Sequence, residues 1–107
     1  MNLIIGIPNQ LNMIKEKCES LSQARSKIDS IDEAIIELIG LRQYYVDQAV
    51  RFKSTVQDVQ SPERVELVIE KIRHLAQKNS IDPALLESIY REMIQHFIQR
   101  ELKEIRP

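Results

Sequence analysis

The chain reads as an all-α domain of three helices, and three observations carry that reading. Its 107 residues include only two glycines and no tryptophan, which disfavours a β-sandwich or a Gly-rich nucleotide loop. Helix-forming Ile, Leu, Glu, Gln, Lys and Arg are abundant, as a helical domain requires. Prolines stand directly behind capping residues in Ser61-Pro62-Glu63 and Asp82-Pro83, an arrangement that opens helices because the missing N–H is harmless in a first turn.

The first helix should begin near Ser20, where Ser20 and Gln23 have capping-box spacing, and run without a proline to about Phe52 or Lys53. Leu21, Ala24, Ile28, Ile31, Ile35, Leu38, Arg42, Tyr45, Ala49 and Phe52 follow one another at alternating spacings of three and four, which places them on one helical face. A helix of about 33 residues is about 50 Å long, far more than the diameter of a globule built from this chain. Its stripe therefore cannot be buried within its own chain. Gly40, a cost of about 1 kcal/mol relative to Ala, is expected at a close helix contact. Residues 54–60 show no regular stripe and read as a loop.

The second helix starts at Ser61-Pro62-Glu63, with Val65, Val68, Ile69, Ile72, Leu75 and Ala76 on one side, and stops around Asn79-Ser80. The third starts at Asp82-Pro83 and runs to about Ile105, with Leu86, Ile89, Tyr90, Met93, Ile94, Phe97 and Ile98 forming its apolar side. The architecture is long, medium and long, completed by another copy of the chain. Residues 1–17 read as a loosely ordered N-terminal extension and residues 18–107 as the helical domain.

Fifteen basic and sixteen acidic residues leave a formal charge of −1, which gives no bulk electrostatic reason to bind nucleic acid or an anionic membrane. The apolar run Met1 to Ile7 lacks a basic flank and is about half the length of a signal h-region, and nothing approaches the roughly 20 apolar residues of a membrane span. The expected location is the cytoplasm. A single cysteine, Cys18, precludes an internal disulfide, and with His74 and His96 far apart no metal-ligand spacing is present.

Charge on the buried faces is the informative anomaly. Arg42 interrupts an apolar stripe, and a guanidinium turned into a core needs an anion, either a side chain or a ligand. Lys53 follows by 11 residues, about 20° away on a helix, whereas Arg25, 17 residues before Arg42, is offset by about 100° in the other sense. Any anion site that Arg25 serves is expected in a neighbouring subunit. Glu101 lies seven residues after Ile94 and continues the inward stripe of the third helix. Each has a plain alternative: Arg42 pairs with Glu101 or snorkels to water, Lys53 closes a helix at its negative end, and Arg64 sits in a first turn where the dipole does not favour it. Together, the inward cations and acid point to a pocket for a small, multiply charged anion.

Those residues are also where the chain resembles the all-helical chorismate mutase class, which includes the isochorismate pyruvate lyases of salicylate biosynthesis. Arg25 followed by Ile28-Asp29 and Ile31-Asp32 resembles the class's R-x-x-I-D-x-I-D opening, with Arg42 and Lys53 at matching distances, over about residues 18 to 105. Arg51-Phe52-Lys53 and Ser61-Pro62-Glu63-Arg64-Val65 are similar to the lyase branch in particular. The resemblance implies an intertwined homodimer in which Arg25 enters from one protomer and Arg42, Lys53, Arg64 and Glu101 from the other. It also implies a dicarboxylate substrate held by Arg25 and Arg42 with Arg64 in support, and a Lys53 that donates to the ether oxygen of the breaking C–O bond. The implied chemistry is pericyclic, with no metal, nucleophile or cofactor.

The sequence departs from the class pattern at two positions. Many mutases carry Glu directly after the arginine equivalent to Arg64, where this chain has Val65, and that favours the lyase. Glu101 stands where the lyase pattern has Gln and some mutases have Glu. A carboxylate reaches an ether oxygen as a donor only when protonated, and which form Glu101 holds stays open at this point. The expected activity is isochorismate pyruvate lyase with weak chorismate mutase activity. The alternatives are a chorismate mutase converting chorismate to prephenate, or a non-catalytic helical dimerisation or metabolite-binding module.

Overall fold

The computed structural model describes residues 15–104, and every described element is helical. The order is α1 (Leu21–Val50), α2 (Val56–Gln60), α3 (Pro62–Lys78) and α4 (Pro83–Leu102), so three long helices are joined by one short one. The apolar run at Met1 to Ile7 and the expected end at Ile105 lie outside the described residues. The chain divides into two compact units after Tyr45, and α1 runs through the boundary.

In the first unit, α1 opens as its sequence requires. Ser20 Oγ accepts the Gln23 N–H at 3.0 Å, and Gln23 Oε1 accepts the Glu19 N–H at 2.7 Å. The reciprocal capping bond thus falls one residue before the cap, on Glu19 rather than on Ser20. Ahead of the helix, Glu16 pairs with Lys27 at 3.0 Å, which ties the described end of the expected extension to the body of α1.

Most of the apolar stripe of α1 is uncovered in the single chain. Leu21 is 64% exposed, Ile28 54% and Tyr45 62%, and Ala34, the buried residue of α1, lies off that stripe. A Cβ built on Gly40 would meet nothing within 4 Å among the described residues, so the close contact expected there is not made among them. Ile36, on a different face from the stripe, is 67% exposed as well. A helix that exposes apolar residues on more than one face is built to be surrounded.

The second unit holds a continuous core. α3 and α4 pack on each other as a helical hairpin, and α2 packs on α4. Val59, Ile69, Ala76, Phe97 and Ile98 are buried there, the last four on the expected stripes of α3 and α4. Ile89 departs from the expected side and is half exposed. The hairpin turn is a Schellman motif: the Ser80 N–H bonds to the Gln77 carbonyl at 3.1 Å and the Ile81 N–H to the Ala76 carbonyl at 2.8 Å. Ser80 takes the left-handed conformation, φ 59°, that glycine more often supplies. Asp82 then caps α4 by accepting the Ala84 N–H at 2.9 Å, with Pro83 in the first turn.

Two readings of the connection after α1 are corrected. Helix α1 stops at Val50, short of Phe52 or Lys53, and the N–H groups of Arg51, Phe52 and Lys53 bond three residues back, to Gln48, Ala49 and Val50. The tighter turn ends the 100° per residue progression on which the angular placement of Lys53 was based. Residues 54–60 are not a plain loop, because Val56–Gln60 form α2. Thr55 caps it, its Oγ1 accepting the Asp58 N–H at 3.0 Å, and Val59 is 2% exposed and anchors it.

Across the outer side of α3 and α4 runs an ion-pair network. Arg91 grips Glu66 with two N–H groups at 3.0 Å and Glu87 at 2.7 Å, and Arg73 reaches Glu87 at 2.7 Å. The Arg91 hydrogen bonds hold the Glu66 and Glu87 carboxyls below their ordinary value of 4.5. A depressed folded-state value contributes stability that is present above that ordinary value and is lost as pH falls through the folded values. Chemical denaturation of Arg91→Met as a function of pH should therefore show a shallower loss of stability below about pH 4.5 than the unaltered protein. Equal slopes would mean that the network is too solvated to stabilise the hairpin.

Candidate active site

The expected site residues fall in both units. Arg25 is exposed and Arg42 half-buried, both on α1 within the first unit. Lys53, Arg64 and Glu101 belong to the second unit, and there two of the three come together.

Lys53 stands at the end of the tight turn that follows α1, and its Nζ donates to Glu101 Oε1 at 3.0 Å. The carboxylate side chain is 7% exposed and that of the lysine 24%. Glu101 is the buried charged residue of the described chain, one turn beyond Phe97 and Ile98 on the inward side of α4. The orientation expected from its stripe position is therefore observed, and the partner is Lys53, which joins residues 48 apart in sequence. An ammonium carries three donors and this bond uses one. The arrangement holds a cation next to a buried anion while leaving N–H groups for a further acceptor.

Beside this pair, Asp47, Val50, Arg100, Glu101 and Glu104 line a small cavity of about 270 Å³. Arg100 pairs with Asp47 at 3.1 Å at its edge. Arg64 is exposed in the first turn of α3 and lines a separate open groove of about 590 Å³ with Thr55, Gln57, Asp58, Ser61, Pro62 and Glu63. Ser61, at the junction of α2 and α3, is held at φ 34°, a left-handed conformation that costs a non-glycine residue about 1–2 kcal/mol. It serves as C-cap of α2 through its N–H to the Gln57 carbonyl at 2.9 Å and accepts the Val65 N–H at 3.0 Å. The Ser61 hydroxyl, expected to cap α3, makes no cap bond there and donates instead to the Asp58 carbonyl, so α3 and Arg64 follow directly from the closed end of α2. Val65 is half-buried and puts no charge beside Arg64.

Asp58 is the residue here that the sequence reading passed over. Its Oδ2 accepts the Ser54 N–H at 3.2 Å, and that bond, followed by the Thr55 hydroxyl, holds its carboxyl below the ordinary 3.8, with the charge of Lys53 acting in the same direction. The signal was available as Thr55-x-x-Asp58, a capping-box spacing. Among the described residues no group of His, Cys, Asp and Glu is arranged to hold a metal ion.

The chain is thus an all-helical protein with a Lys–Glu ion pair at the end of its last helix. Residues 24–102 match the family model of chorismate mutase type II, and the chain belongs to that family, whose members are helical enzymes. It is similar to the isochorismate pyruvate lyase of Pseudomonas aeruginosa, with 32% identity over 88 residues, 82% of this chain and 87% of that protein. It is also similar to the chorismate mutase of Methanocaldococcus jannaschii, with 29% identity over 79 residues, 73% of this chain and 80% of that protein.

Removing one member of a buried ion pair leaves the other desolvated and uncompensated, at a cost of about 3 kcal/mol. Lys53→Ala should therefore lower unfolding stability by about that amount, whereas the double variant Lys53→Met with Glu101→Leu should recover most of it. Urea denaturation of the two variants checks this, and equal losses in both would show that the pair does not act as a unit.

Proposed function

We propose that the protein is a cofactor-free isochorismate pyruvate lyase of the cytoplasm, giving salicylate and pyruvate, with weak chorismate mutase activity. The observation that carries the reading is the Lys53 ammonium held 3.0 Å from a buried carboxylate in a chain of the chorismate mutase type II family. Val65 in place of an acid directly after Arg64, and the similarity to a lyase over 87% of that protein, favour expulsion of pyruvate over rearrangement. The helical domain is taken as residues 18–107, with residues 1–17 as an extension.

In this reading the enzyme works as a homodimer, supported by the exposed apolar stripe of α1. Arg25 of one protomer and Arg42 of the other hold the two carboxylates of a flexible dianion, and Arg64 assists one of them. Confining the substrate to a compact conformer removes entropy before the reaction. Lys53 then donates to the ether oxygen as the C–O bond breaks and negative charge builds there, a stabilisation that is strongest in the transition state. The Lys53 ammonium bonded to Glu101 retains two further N–H donors for this purpose. Glu101 orients the ammonium as its acceptor, and as a carboxylic acid it would itself donate.

Chorismate mutase is the second reading, favoured by Glu101, which some mutases carry at this position, and by the similarity to a chorismate mutase. The two separate when purified protein receives isochorismate and chorismate in separate cuvettes, with salicylate fluorescence followed in one and loss of chorismate absorbance in the other. Salicylate formation well above chorismate loss is expected, and the reverse would establish a mutase. Absence of both from a folded dimer would favour a non-catalytic metabolite-binding or dimerisation module. Arg42→Ala should lower kcat/KM by about 100-fold or more if it holds a substrate carboxylate. Intact turnover in that variant would remove Arg42 from the site.

A further inference from the structure

Lys53 is fixed along its backbone as well as at its ammonium. Its own N–H bonds to the Val50 carbonyl at 3.1 Å, and the next N–H, that of Ser54, bonds to Asp58 Oδ2 at 3.2 Å. The two bonds hold the amides on either side of the Lys53 Cα, and so set the direction from which its side chain departs. Asp58 is itself held in place: its N–H donates to Thr55 Oγ1 at 3.0 Å, its carbonyl accepts the Ser61 hydroxyl, and the adjacent Val59 is buried. Asp58 is exposed, so no packing requirement explains an acid there.

We propose that Asp58 is a positioning residue for Lys53: by accepting the Ser54 N–H, its carboxylate fixes the peptide joining Lys53 to Ser54, and thereby aims the Lys53 ammonium. The catalytic consequence rests on the reading of Lys53 as donor to the breaking C–O bond, whereas the mechanical consequence stands without it. Four residues separate Asp58 from Ser54, and the intervening chain forms a closed turn that ties the Lys53 backbone to α2. Through the buried Val59, α2 is in turn seated on α4, the helix that carries Glu101. The same helix thus fixes the lysine at its backbone through α2 and at its tip through Glu101.

Two readouts test this. The first needs no substrate: limited trypsin digestion of the full chain, with mass spectrometry scoring cleavage after Lys53. Asp58→Ala should speed that cleavage by about tenfold, the scale of a lost capping interaction. Asp58→Asn retains an acceptor oxygen and should restore most of the protection. Thr55→Val, which removes the hydroxyl that holds Asp58, should act in the direction of Asp58→Ala. The second readout is steady-state kinetics, where Asp58→Ala should lower kcat by about tenfold with KM within about twofold, as expected when alignment rather than binding is lost. Unchanged cleavage in Asp58→Ala, or equal damage in Asp58→Ala and Asp58→Asn, would overturn the proposal. A raised KM at constant kcat would also overturn it, because Asp58 would then bind substrate rather than position Lys53. Should the unaltered protein turn over neither substrate, the functional reading fails, while the cleavage rates still decide whether Asp58 holds the Lys53 peptide.

Discussion

The ion pair between Lys53 and Glu101 is the constraint around which the second unit is arranged. A carboxylate as buried as that of Glu101 is tolerated only with a compensating charge at hydrogen-bond distance, and in the native chain Lys53 supplies it. Pairing brings the turn after α1 to the end of α4, so a connection that could have been mobile has a fixed terminus. The elements between them serve the same end. Thr55 caps the start of α2 and Ser61 closes its end, Val59 is buried on α2, which packs on α4, and the lysine arrives at the acid with its backbone already defined. An apolar pair of similar volume would stabilise the unit at least as well. Retaining charge at a buried position therefore points to chemistry rather than stability.

Helix α1 meets a different constraint. A helix of 30 residues spans about 45 Å, and its apolar residues occupy more than one face. Covering that much surface is beyond a 107-residue chain whose remaining helices already bury their stripes against each other. The leftover surface is apolar, with Arg25 and Arg42 set into it. In the proposed homodimer a second copy would cover it, and the proposed site would draw its arginines from both chains. Folding and the proposed substrate site would then depend on the same association, which makes assembly and activity one event.

Much of this was legible in the residues because the signals were local. Ser61-Pro62-Glu63 and Asp82-Pro83 mark the starts of α3 and α4, since a proline behind a capping residue has few other uses. Glu101 was legible as inward-facing because Phe97 and Ile98 define its stripe. The helix Val56–Gln60 was not, because five residues complete little more than one turn and leave no periodicity to detect. Only the Thr55-x-x-Asp58 spacing announced it. The early end of α1 was hidden because Arg51, Phe52 and Lys53 suit a helix on propensity alone, and the tighter turn is set by where Lys53 must reach. The acceptor of Lys53 was likewise beyond reach, since the bond to Glu101 joins residues 48 apart in sequence and no local pattern records it.

Specificity in such a site follows from placement more than from the list of groups. Expelling pyruvate and rearranging a side chain both break an allylic C–O bond while a new bond to the departing group forms in the same step, and both build negative charge on the departing oxygen. Fixed cations stabilise that charge in either case. What differs is the conformer in which the dianion is held, and a conformer is selected by the distances among cations rather than by their identity. A lysine fixed at its backbone by Asp58 and at its tip by Glu101 is a rigid point in that pattern. Val65, half-buried directly after Arg64, carries no hydrogen-bonding side chain, and in the proposed site it would offer a substrate hydroxyl no partner. A site built to bond a hydroxyl rejects analogues that lack it far more strongly than an apolar wall rejects those that have it. On the proposed reading, valine at that point would relax the demand for one hydroxyl arrangement and leave the placement of the cations to decide which bond is made as the C–O bond breaks.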